Sequence, residues 1–183
     1  NKELIPPEND RLYYYSYALP MDRVKTEFYH RPWGTVMVFL PCLKNQRDIM
    51  TKVEPTRDLL SRIMHADVMF WPLWCNSKEI YKVEDFRRKW DIGNDAVKFI
   101  PYWENKEVVS DTPESCISYY DKNGEKLAIV SNLARKGQTL TVKLPAGTEK
   151  VINAETEQPL TIKNGTVTIE MKRNDYCALI IGK

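Results

Sequence analysis

Two hydrophobic periods divide this chain, and the change between them falls near residue 106. Upstream, residues 35–41 (Thr-Val-Met-Val-Phe-Leu-Pro) are apolar on both faces and rich in β-branched and bulky side chains. Such a run predicts a strand covered on both sides, as in a parallel sheet. A polar loop over 44–48 follows, then a helical pattern in which Leu59 and Leu60 recur four residues later as Ile63 and Met64. Pro55 sits near the front of that helix, where a missing N–H is tolerated. A second doubly apolar run covers 67–74. After the N-cap candidates Asn76 and Ser77 comes a second helix, marked by Ile80, Val83, Phe86 and Trp90 and closed at Gly93. A third apolar stretch, 97–101, leads into Tyr102-Trp103-Glu104-Asn105. Strand, helix, strand, helix, strand predicts right-handed βαβ units.

Downstream the period is 2. Leu140, Val142 and Leu144 alternate with Thr139, Thr141 and Lys143, and Val167, Ile169 and Met171 alternate with Thr166, Thr168 and Glu170. These are half-buried antiparallel strands. Asn123-Gly124 and Asn164-Gly165 sit between apolar runs and signal tight hairpins; the latter, with Thr166, also matches a glycosylation sequon that the hairpin explains. The expected strands lie near 115–120, 126–132, 138–144, 149–153, 158–163, 165–171 and 175–181. The predicted fold class is therefore an α/β segment over 1–105 followed by an antiparallel β-sandwich over 106–183. Near the start, Tyr13, Tyr14, Tyr15 and Tyr17 suit a strand, with Pro20 in the loop after it.

Composition narrows the classes. The 183 residues are 43% hydrophobic and 28% charged, ordinary globular values that argue against disorder. Net charge is +2, with basic residues scattered among acids, so no nucleic-acid partner is expected. No apolar run is long enough for a membrane span. Asn1-Lys2-Glu3 reads as an internal or processed start; a leader outside the chain would set a periplasmic or cell-surface address. Cys42, Cys75, Cys116 and Cys177 are far apart, and His30 and His65 sit beside none of them, so neither a metal nor a cofactor is expected. The cysteines read as buried thiols, with a Cys116–Cys177 disulfide left open.

The strand ends carry the candidate chemistry, as in barrels. They hold Trp71 and Trp74 after the second strand, and Trp103 with Glu104 after the third. Aromatic faces there would stack on the C–H face of a pyranose, or else fill the contact with the β-domain. Glycoside chemistry needs two acids, or one acid plus a group that positions a substrate amide. There is no Asp-Glu step, and the one Glu-Asp step, Glu84-Asp85, lies on a helix face expected to be solvated. Asp22, Glu27 and Glu104 stand alone and read as surface or salt-bridging acids. His65 is expected to serve a helix terminus. The seven glycines form no phosphate loop.

The segment order in 35–41 and 67–72 resembles the closing βα units of a barrel. Trp90-Asp91-Ile92-Gly93, the run 99–105, Ile117-Ser118-Tyr119-Tyr120 and the run 127–132 resemble the barrel-to-sandwich junction of bacterial proteins similar to glycoside hydrolase family 123. Many of these come from polysaccharide-degrading gut bacteria. The resemblance covers roughly residues 30–183. It implies a carbohydrate-active context, with catalysis assisted by the substrate on β-linked N-acetylgalactosamine. An adjacent Asp-Glu pair does that work in characterised members; it is absent here and expected on an earlier barrel strand, so no catalytic residue is carried over.

The expected function is thus the C-terminal portion of a glycoside hydrolase, with the sandwich supporting the barrel, inactive alone and meeting glycan through the full-length protein. A barrel takes about 250 residues, so the missing N-terminal barrel segment is the expected partner for the uncovered strands. The alternative is a non-catalytic carbohydrate-binding or structural module, in which Trp71, Trp74, Trp103 and Glu104 touch glycan.

Overall fold

The structure, a computed structural model, describes residues 20–28, 38–39, 52–71 and 75–183. It is an α/β segment followed by an antiparallel β-sandwich, and the chain divides into two compact units, 1–82 and 83–183. The Tyr13–Tyr17 cluster, Cys42 and Trp74 lie outside the described residues.

In the first unit a short helix α1 (Met21–Arg23) runs into a π-turn over Val24–Phe28. Strand β1 (Val38–Phe39) pairs in parallel with β2 (Met69–Phe70), in the register Val38↔Met69 and Phe39↔Phe70. Helix α2 (Val53–Ile63) and a 3₁₀ turn (Met64–Ala66) stand between them in sequence, so this is the expected parallel strand–helix–strand unit. Helix α2 buries Leu59, Leu60 and Ile63 completely or nearly so. The chain leaves it through Asp67, whose left-handed φ of 54° breaks the helical path.

Helix α3 (Ser77–Lys89) begins as the sequence predicts: Asn76 Oδ1 accepts the backbone N–H of Glu79. Its end differs. Asp91, with φ 54°, takes the left-handed position expected of Gly93, and the N–H of Ile92 reaches back to the carbonyl of Arg87. Asp tolerates that conformation, and its carboxylate accepts a bond from Lys122.

The second unit is a two-sheet sandwich. One sheet has the order β3 (Val97–Ile100), β5 (Ser115–Lys122), β6 (Glu125–Asn132), β10 (Asp175–Gly182), β8 (Lys150–Asn153). The other has the order β4 (Val109–Ser110), β7 (Gln138–Lys143), β9 (Thr166–Met171). Their facing side chains, including Ile117, Val130, Leu140, Val142, Val167 and Leu179, form one core. The Asn123-Gly124 hairpin closes β5 on β6 with Lys122 opposite Glu125, and both turn residues have positive φ (56° and 91°), the geometry of a type I′ turn.

Two expectations change. Strand β3 is not a third parallel strand; it pairs antiparallel with β5, Phe99 beside Tyr120 at 4.9 Å between ring centres. Four apolar residues fit a doubly covered strand and a sheet edge equally well, and only Phe99 of β3 is fully buried. No strand forms over 158–163; two isolated bridges remain, at Pro159 and Lys163, because proline brings no N–H to a ladder. The expected reading of the cysteines holds for Cys116 and Cys177, which are buried thiols not joined in a disulfide. Cys177 pairs with Val130 and faces the core, whereas Cys116 pairs with Ser131, one position along, and so points from the opposite face of the sheet.

Leu179 is fully buried at the centre of the core strand β10. Leu179→Ala is expected to lower stability by about 2–5 kcal/mol, read as a shift in the urea midpoint.

Candidate functional site

Trp71 follows β2, its N–H bonded to the carbonyl of Phe39 at 3.0 Å, and its side chain is 57% exposed. Strand alternation puts Met69 on the same side as Trp71, with Val38 opposite Met69 in the register. Met69 and Val38 are exposed too, while Phe70, pointing the other way, is buried. The first unit thus presents an open apolar strip with an indole at its end.

Trp103 and Glu104 belong to the second unit, in the turn after β3. The N–H groups of Glu104 and Asn105 both return to the carbonyl of Pro101, at 2.9 and 3.0 Å. Trp103 donates its indole N–H to Glu104 Oε1 at 3.2 Å and meets Tyr102 edge-on, ring centres 4.8 Å apart. These two candidates are therefore brought together. The turn supplies one exposed carboxylate, which can accept bonds from sugar hydroxyls, while glycoside hydrolysis needs a second acid across the bond.

Asn105 fixes the turn. Its Nδ2 donates to the carbonyls of Val108 (2.6 Å) and Ile117 (2.9 Å), and its Oδ1 accepts the N–H groups of Glu107 and Val108, both at 3.1 Å. An Asn before an extended run is a turn signal, but only the fold shows that this one ties the turn to β5.

A second polar cluster had no signal in the sequence. Lys126 is 5% exposed, with Nζ 2.7 Å from Asp121 and 3.2 Å from Glu107, and it lies 5.2 Å from the centre of the Tyr119 ring. Tyr119 donates its hydroxyl to Glu107 at 3.1 Å. Burial opposes the charge on Lys126, but the two carboxylates win and hold its pKa above the ordinary range. Burial, reinforced by Glu107, pushes the Tyr119 phenol up to about 12. Ammonium and phenol both stay protonated at neutral pH, so neither of these two groups takes up a proton there.

The remaining candidates are structural. Glu27 takes a two-pronged bond from Arg23, at 2.7 and 2.8 Å, and Asp85 bridges Arg88 and Lys89. Burial raises the Cys75 thiol to about 11, which makes it a poor nucleophile. His65 is fully buried in the 3₁₀ turn, where burial, aided by Arg62, lowers its pKa to about 3. It stands just past the end of α2, where the sequence places it, as a neutral imidazole at neutral pH. Among the described residues no group of His, Cys, Asp and Glu could hold a metal ion, and no helix is long and apolar enough to cross a membrane.

No protein-family model matches the chain, and no curated protein matches it. Solved structures do. An α-amylase from Anoxybacillus aligns over 92% of this chain and 42% of its own, at 14% identity and a TM-score of 0.52. A glycoside hydrolase family 30 subfamily 8 xylanase from Clostridium acetobutylicum aligns over 84% and 44%, at 9% identity and 0.51. A family 30 endoxylanase from Clostridium papyrosolvens aligns over 85% and 44%, at 9% identity and 0.50. The fold is glycoside-hydrolase-like. The chain spans less than half the length of each of these structures.

Two outcomes follow from this geometry. Asn105→Ala should cost about 1–3 kcal/mol, because buried partners lose their bonds, and denaturant titration will read it. His65 binds a proton in the unfolded chain near pH 6.5 but in the folded one only near pH 3, so stability is lost as pH falls through that window. Glu79 and Asp121, held below the usual carboxylate range by basic partners against the effect of burial, add their losses only at lower pH. Wild-type Tm should therefore fall between pH 7 and pH 5, and His65→Gln should remove most of that fall.

Proposed function

We propose that the chain is the C-terminal portion of a glycoside hydrolase, in which the sandwich supports a barrel and the residues present hold no complete catalytic dyad. One observation carries the reading. A parallel strand–helix–strand unit is followed, after α3, by an eight-stranded sandwich, and the chain aligns in fold with an α-amylase and two xylanases. The finer placement near glycoside hydrolase family 123, with its context of β-linked N-acetylgalactosamine, is supported by the residue runs 90–93, 99–105, 117–120 and 127–132.

In this reading Trp71 of the first unit and, separately, Trp103 of the second each offer an apolar ring face to a sugar, and Glu104 accepts a hydroxyl beside Trp103; Trp74 is a candidate on sequence grounds alone. Exposure of Trp71 beside Met69 and Val38 equally favours a second reading, a glycan-binding module without hydrolysis. The two part in one assay. The chain and the full product of its gene are each given a panel of chromogenic glycosides, including β-N-acetylgalactosaminides. Turnover by the full product alone is expected; silence from both would leave the binding reading. Glycan binding, followed by Trp fluorescence, should weaken about tenfold in Trp71→Ala, since burying a large apolar side chain is worth about 1.5–3 kcal/mol.

A further inference from the structure

A depression of about 330 Å³ lies wholly within the second unit, lined by Lys89, Trp90, Lys122, Asn123 and Glu125. It is made where the end of α3 meets the β5–β6 hairpin, away from the turn that carries Trp103. Its size lies at the lower end of small-molecule sites, enough for a single ring.

Its side chains are differently committed. Lys89 is held by Glu157 at 2.9 Å and Asp85 at 3.0 Å, and Lys122 is held by Asp91. The two ammoniums are thus fixed in place and already matched by carboxylates, while Glu125 adds another negative charge. No excess of positive charge remains to select an anion. Trp90 forms an apolar wall that is 7% exposed. Asn123 sits at the tip of the type I′ turn with φ 56°, and both it and Glu125 are exposed. An indole wall lined also by donors (Lys89, Lys122, the Asn123 amide) and acceptors (the Asn123 carbonyl, Glu125) matches a neutral polyhydroxyl ring. Vicinal hydroxyls each donate and accept, and the ring C–H groups need an apolar contact.

We infer that this depression is a binding site for one neutral pyranose unit of a glycan, separate from the strand-end tryptophans. The choice of ligand class rests on the carbohydrate reading above; the site's location rests on its own geometry.

The test is a titration of the ¹⁵N-labelled full chain with xylotriose and with maltotriose as probes, at millimolar concentration. Saturable shifts of the Asn123 side-chain amide and the Trp90 indole N–H are expected with at least one probe. Asn123→Gly, which keeps the positive φ, and Glu125→Gln should each weaken that response about tenfold. Unchanged affinity in both variants, no shift with either probe, or an equal response to sodium sulfate would overturn the site. Shifts confined to Trp71 and Trp103 would also overturn it, while leaving the proposed function standing. Binding here with no hydrolysis by the full gene product would do the reverse.

Discussion

Burial of the three central strands of the five-stranded sheet on both faces is the constraint around which the second unit is built. Residues of β5, β6 and β10 are buried almost without a break, although their pairing is antiparallel. One face meets β7 and β9 in the shared core. The other carries Tyr120, Leu127, Ile129, Tyr176 and Ala178, all buried. The second half of α3 reaches this face, where Arg87 donates to the Tyr120 hydroxyl at 3.0 Å. An antiparallel sheet can leave one side to water. This one does not, so both sets of side chains on β6 are bound to apolar or hydrogen-bonded surroundings.

How much of this the sequence disclosed depended on how many faces a strand buries. Strands β7 and β9 bury one face, and their alternation of Thr with Val, Leu and Ile was plain. The hairpin at Asn123-Gly124 was equally plain, because only a few residue types accept two successive positive φ angles. The pairing of strand β3 is not legible in the sequence, because an apolar run of four carries no direction of pairing. The segment 158–163 failed because Pro159 defeats the ladder that its alternation suggests. The cysteine question turned on a parity of one residue, which register settles and spacing cannot.

The candidate site was legible in kind more than in connection. Aromatics and an acid at strand ends can be read from residue order, and Trp103 and Glu104 do meet. Asn105 could not be recognised as the anchor of that turn, since its partners Val108 and Ile117 become neighbours only once β5 is in place. Nor could Lys126, whose carboxylates come from two separate stretches of chain. Nothing in the residues around a single lysine announces that it will be buried with two acids.

Helix α3 contributes Ser77–Lys82 to the first unit and Val83–Lys89 to the second. The division between the units therefore falls inside a run of helical hydrogen bonds, where a Gly-, Ser- or Pro-rich linker would ordinarily be found. In evolutionary terms this joins the inheritance of the two parts. A recombination crossover at the boundary between the units would have to cut through the helix, and the sandwich would carry Val83–Lys89 with it, since Arg87 is the partner of Tyr120.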